Sequence, residues 1–267
     1  MLGDSPDALR ERLEAIEAQF GPVSDTAGAA TRTESNLRTV TWALVSRPID
    51  VDVDLEPAAA DALVRASPCM AALERAIPSV VRGPLDRERQ YWISSGTPSR
   101  VLPGDAVPRE QAFVSSIAEA RWPRPLGQGA KTGFERLGLH TSTGWPGSTG
   151  MWRSYMGDMQ GLHQRPWYTW HVLPNQSARV LEIDGAQKWI EVVRRYPRES
   201  AGALNPDWWQ IRDDYDIVHV TLSAAVATQG LRFRLDGYRA GTVHWDVETA
   251  WWLNWCVERT ELVNVDE

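Results

Sequence analysis

The chain reads as an α/β (α+β) protein, and three observations predict that class. Apolar residues recur at helical spacing near the N-terminus. Short β-branched or alternating runs appear from residue 39. After residue 90 such runs alternate with amphipathic helical stretches. With 43% hydrophobic and 24% charged residues the composition is that of a folded protein, and 267 residues suffice for a large core with a smaller attachment. The expected division is a helical N-terminal region with a short strand pair over 1–90, then a Trp-rich α+β domain over 91–267.

Leu9, Leu13, Ile16 and Phe20 follow Pro6 at 3–4-residue spacing, which predicts an amphipathic helix stopped by Gly21-Pro22. Residues 23–37 are small and polar and read as a linker. The runs 39–45 and 49–55 read as strands, the second because Ile49, Val51, Val53 and Leu55 alternate with Asp50, Asp52 and Asp54. Those aspartates lack the glycine and distal glutamate of a calcium loop, so they read as a solvated strand face. Helical spacing over 57–77, broken at Ser67-Pro68, predicts two short helices. Tyr91-Trp92-Ile93 reads as a strand. Frequent Pro and Gly over 96–133, around a helix expected at 109–120, mark a candidate lid. Beyond it the pattern predicts a strand at 137–143, a helix at 151–159 and strands at 167–173 and 179–183 paired across Pro174-Asn175. A helix follows at 187–196 and a helical turn at 206–213. Three strands close the series, at 217–222, 231–235 and 249–257.

A net charge of −7, evenly spread, argues against a protein whose main work is to neutralise nucleic-acid phosphates. The two cysteines, Cys69 and Cys256, are too few and too distant for a disulfide scaffold or a Cys-based zinc site, and Cys69 in an apolar helix reads as a structural thiol. The first residues lack the apolar run of a signal peptide, and no stretch reaches about 18 apolar residues. A cytoplasmic location is expected. Only Lys131 and Lys188 among the 28 basic residues are lysine, a bias that suggests a GC-rich bacterial source.

Fourteen Trp stand against six Tyr and four Phe, and twelve of them fall from Trp122 onward. A Trp buries a large apolar body but needs a partner for its indole N–H, so such a density suits either a core or walls around a ligand. All five histidines also lie in the second half. His219, His244 and Glu248 form no specific metal spacing, and no metal is expected. The G-x-S-x-G elbow, the P-loop and G-x-G-x-x-G are all missing, which removes the usual support for hydrolase, NTPase and Rossmann dehydrogenase readings.

What remains is an ordered series: Gly138-Leu139-His140-Thr141-Ser142-Thr143, Met151-Trp152-Arg153-Ser154-Tyr155, Ala178-Arg179-Val180-Leu181-Glu182-Ile183, Tyr215-Asp216-Ile217-Val218-His219-Val220 and Trp245-Asp246-Val247-Glu248. A hydroxyl-bearing strand followed by a helix, with an acid on a late strand, resembles the ADP-ribosyltransferase superfamily over about residues 89–258. The resemblance implies a split mixed β-sheet core with flanking helices, and NAD as substrate. It implies Glu248 as the catalytic acid with His140 beside it. It also implies that Thr141, Ser142, Thr143, Trp152, Tyr155 and a first-strand basic residue, Arg89, contact the dinucleotide. Cleaving the bond to nicotinamide builds positive charge on the ribose, so one close carboxylate and aromatic walls suit the chemistry. The activity implied is an ADP-ribosyltransferase or NAD glycohydrolase, in a bacterial toxin or defence factor with a protein or nucleic-acid acceptor and an inhibitory partner. The competing reading is a non-catalytic protein whose aromatic surface binds a peptide, glycan or protein partner.

Overall fold

The computed structural model describes residues 7–19, 29–45, 51–95, 139–158, 165–200, 202–240 and 245–267. The described residues form an α/β fold with a five-stranded and a seven-stranded sheet. They gather into two compact units. One takes Met1–Pro84, Glu182–Ile211 and Val220–Glu248; the other takes Leu85–Leu181, Arg212–His219 and Thr249–Glu267. The candidate lid over 96–133, with its helix at 109–120, lies outside the described residues, as do His163 and His244.

The first unit begins with α1 (Asp7–Gln19) and α2 (Ala29–Val45). Helix α2 corrects two expectations, since 29–37 are not linker and 39–45 are not a strand. The β-branched residues misled, because Leu37, Val40 and Leu44 are buried at helical spacing and the Thr41 hydroxyl donates to the Leu37 carbonyl one turn back at 2.9 Å. Strand β1 (Val51–Val53) lies within the predicted run 49–55. Helices α3 (Pro57–Ala66) and α4 (Pro68–Ala76) meet at Ser67-Pro68 as predicted, each opening on a proline whose missing N–H costs nothing in the first turn. A single turn, α5 (Pro78–Val81), follows.

In the second unit β2 (Gln90–Ser95), β3 (Leu139–Thr143) and α6 (Met151–Asp158) match the expected positions. Strand β4 (Trp167–Pro174) and the short β5 (Val180–Ile183) do form, but they do not pair with each other. The sheet order is β12-β4-β2-β3-β11-β8-β5, where β8 is Ile217–Val220, β11 is Thr249–Trp252 and β12 is Val257–Asp266. The Pro174-Asn175 corner carries turn chemistry, with the Asn175 side chain accepting from Ser177 N at 3.0 Å, yet β4 finds its partners in β2 and β12. Local turn residues bend the chain without choosing the neighbour. The expected single strand at 249–257 is likewise two strands. Asn254 holds the break between them by donating to the carbonyls of Arg212 (2.8 Å) and Tyr215 (3.3 Å).

The chain between these strands supplies the rest of the first unit. Helix α7 (Ala186–Arg195) has its apolar face buried, as predicted. Strands β6 (Pro197–Ser200) and β7 (Ala203–Pro206) form a hairpin that the sequence reading missed, and α8 (Trp208–Asp214) follows. Strand β8 stops at Val220, short of the expected 222, because Thr221 caps α9 (Leu222–Thr228) by accepting from Ala224 N at 3.3 Å. Strands β9 (Leu231–Leu235) and β10 (Tyr238–Ala240) complete the smaller sheet, ordered β1-β9-β10-β7-β6. Asp52 of β1 pairs with Arg239 of β10 at 2.7 Å, so this predicted solvated aspartate is engaged in an ion pair.

Candidate functional site

Strand β3 presents two chemically different faces. Leu139, Thr141 and Thr143 alternate with His140 and Ser142, as strand geometry requires. On the first face the Thr141 hydroxyl donates to Gln90 Oε1 at 2.7 Å and accepts from Trp252 Nε1 at 3.0 Å. Gln90 Nε2 in turn donates to Thr143 Oγ1 at 2.9 Å and to the Asp86 carbonyl at 2.8 Å, so its amide is fully used. Thr141, Thr143, Gln90 and Trp252 are all 0% exposed. This network sits among Leu139, Trp92, Trp170, Ala250 and Ile217 in the core of the second unit.

The opposite face carries α6. Ser142 Oγ accepts from Trp152 N at 3.0 Å and thereby anchors the start of that helix. Gly150 makes the approach feasible: its φ is +101°, and a Cβ there would lie 2.4 Å from the Ser142 Cβ. The His140 ring stacks on Trp251 with centroids 5.7 Å apart and planes 6° from parallel, and meets the Trp152 ring edge-on at 6.2 Å. Tyr155 meets Trp152 edge-on at 5.4 Å. The Trp152 indole donates to Thr249 Oγ1 at 2.9 Å, and Thr249 Oγ1 donates to the Thr141 carbonyl at 3.2 Å. Trp251 is fully buried, whereas His140, Trp152 and Tyr155 keep part of their surface open.

Of the sequence-predicted site residues, His140, Thr141, Ser142, Thr143, Trp152 and Tyr155 therefore converge on β3 and α6. The three hydroxyls are buried and bonded inside the protein, whereas His140, Trp152 and Tyr155 are partly exposed. Arg89 lies immediately before β2, at the end of the sheet where Gln90 pairs with Thr143. It is exposed and paired with Asp86 at 3.6 Å, and its carbonyl accepts from Gly144 N at 2.7 Å. Strand β11 starts at that same end, because Ala250 pairs with Thr141 and Trp251 with His140 in antiparallel register. Glu248, fully buried, is the residue directly before β11. A ligand reaches its carboxylate only by displacing what covers it.

Family models, curated proteins and solved structures were all compared with the chain, and none matches.

Several residues of this arrangement escaped the sequence reading. Gln90 sits in an unremarkable Arg-Gln-Tyr stretch, and Thr249 and Trp252 lie in a run read only as an aromatic strand. Their signal was the pairing of polar groups with indoles, legible only once β2, β3 and β11 are known to be neighbours. Both thiols fit structural roles: burial pushes Cys69 and Cys256 up to about 12, far from a reactive thiolate.

Proposed function

We propose that this chain cleaves the bond between nicotinamide and ribose in NAD and passes the ADP-ribosyl group to an acceptor or to water. One observation carries the reading: β3 and β11 are hydrogen-bonded neighbours, with Ala250 opposite Thr141 and Trp251 opposite His140. The hydroxyl-bearing strand thus runs beside the strand that the chain enters from Glu248, and this strand order supports the reading. In this reading NAD binding uncovers the buried Glu248 carboxylate, which stabilises the positive charge that develops on the ribose as nicotinamide departs. Trp152, Tyr155 and His140 form a wall for the flat rings of the dinucleotide. Thr141, Ser142 and Thr143 hold the frame and do not touch the substrate. This reading keeps the cytoplasm as its setting, where NAD is available and two unpaired thiols persist.

The test is to mix purified protein with NAD and assay free nicotinamide. The wild type is expected to release it, Glu248→Gln to lower the rate by about 100-fold or more, and both proteins to melt higher with NAD present. Absence of release together with absence of an NAD-induced rise in melting temperature discards the enzyme reading. The second reading, a non-catalytic binding surface built on the His140, Trp152 and Tyr155 rings, then takes its place. It is favoured by the full burial of Glu248 and of all three hydroxyls.

A further inference from the structure

Gln229 is the C-cap residue of α9, 5% exposed, and its side chain reaches 16 residues along the chain. Its Oε1 accepts from the backbone N–H of Trp245 at 2.7 Å, and its Nε2 donates to the Asp246 carboxylate at 2.9 Å. One amide therefore grips two consecutive residues, one by backbone and one by side chain. Glu248 follows two residues later, and the next residue, Thr249, begins β11. Gln229 is itself fixed from below. Arg12 of α1, 2% exposed, donates from Nη1 to the Val226 carbonyl at 2.8 Å and from Nη2 to the Gln229 carbonyl at 2.5 Å. Trp245 is steadied on a second side by its edge-on contact with Trp208, 6.5 Å between centroids.

We infer that Gln229 is a positioning residue: through Trp245 and Asp246 it sets the approach of the backbone to Glu248, and Arg12 holds Gln229 in place. The inference rests on the proposed role of Glu248. Its physical content is that a carboxylate acting on a developing charge must be held to a fraction of an ångström, because misplacement by about 1 Å costs on the order of 100-fold in rate. The ladder of β11 restrains the chain after Glu248, and the Gln229 amide restrains the chain before it. A helix C-cap needs no such side chain, since the backbone N–H of Gln229 already satisfies the Ala225 carbonyl at 2.9 Å.

The hydrogen-bond polarity of the grip supplies the test. Gln229→Glu keeps an acceptor for Trp245 N–H but turns an acceptor towards the Asp246 carboxylate, breaking one prong. Adding Asp246→Asn gives position 246 a donor and re-forms the pair in reverse. Nicotinamide release from NAD is measured for wild type, Q229E, D246N and Q229E/D246N, each below its own melting temperature. Expected is a kcat about 10- to 100-fold lower in Q229E with KM for NAD changed less than about 3-fold, and a double variant within about 3-fold of D246N. A Q229E enzyme with wild-type kcat, or a folded double variant no better than Q229E, overturns the inference while leaving the NAD reading intact. If Q229E does not fold, the double variant against D246N decides, and its failure to fold as well counts against the pairing. A wild type that releases no nicotinamide is a different failure, removing the proposed reaction and the positioning role with it.

Discussion

Two charged side chains meet helix ends in the first unit, Arg12 buried and Asp61 half-buried, whereas a neutral hydrogen-bond network ties strands together in the second. In the first, Arg12 satisfies the carbonyls that close α9. Asp61 of α3 accepts from Ala186 N and Gln187 N at 2.6 and 3.0 Å, capping α7 from another helix. Gly185 permits that approach, since a Cβ there would meet the Asp61 carboxylate at 2.5 Å. In the second, Gln90, Thr141, Thr143, Trp252 and Thr249 share hydroxyl, amide and indole hydrogen bonds without a net charge. Ion pairs there, among them Arg153 with Asp266 and Arg179 with Asp216, are part-exposed. The contrast follows from what each region must satisfy. Helix ends leave groups of like polarity, which one charge answers, whereas strand side chains offer single donors and acceptors that pair one to one.

The largest expected effect breaks the charged side of this contrast. Arg12→Met keeps an apolar stem but leaves the Val226 and Gln229 carbonyls buried without their guanidinium donor. Two lost charge-assisted hydrogen bonds predict a destabilisation of about 3 kcal/mol or more, read as a lower urea midpoint at unchanged slope. A loss below about 1 kcal/mol removes the claim that the Arg12 charge holds this helix end.

The neutral network responds more mildly and cooperatively. Thr141→Val strands the Gln90 carbonyl oxygen and the Trp252 indole N–H, for an expected cost of about 2 kcal/mol; Trp252→Phe costs about 1 kcal/mol beyond its packing loss. Because the two residues share one hydrogen bond, the double variant should fall short of the sum by about 0.5 kcal/mol or more in a denaturant-based double-mutant cycle. Strict additivity would dismiss the network.

The smallest effect lies in the pH dependence, and the two regions should move in opposite senses. Burial raises the Asp61 carboxyl above its ordinary 3.8, against the backbone hydrogen bonds from Gln187 and Ala186 that pull it down. A raised acid binds more protons folded than unfolded, so its contribution is fullest below pH 3.8 and is lost as pH rises through the folded value. Asp266 is lowered, first by the Arg153 hydrogen bond, so its contribution is present above 3.8 and is lost as pH falls through the folded value. Asp216 behaves likewise: burial opposes, but hydrogen bonds from Arg179 and Asn254 outweigh it. Urea midpoints measured across this acid range should show Asp61→Asn gaining on wild type as pH rises. Asp266→Asn should lose ground over the same rise. Parallel drift of the two variants would erase the distinction between the regions.

Much of this architecture is encoded locally. Pro57 and Pro68 mark helix starts, Trp189 and Val193 mark the buried face of α7, and the alternation of Leu139 to Thr143 marks a strand with two faces. Burial repeats with the period of the element, so the sequence alone settled the fold class, the position of β3 and α6, and the part of the chain where the candidate site residues sit. Local bias failed where tertiary packing overrode it, as in the Thr-Val-Thr-Trp run that became the C-terminal half of α2. Only the tertiary structure decided which strands are neighbours and which polar groups bond. It separated β4 from β5, put β11 beside β3, and showed Thr141 and Thr143, candidates for dinucleotide contact, to be fully buried and bonded within the sheet. The reason is distance along the chain. The Thr141–Gln90 bond joins residues 51 apart and the Arg12–Val226 bond residues 214 apart, and no local period carries that information.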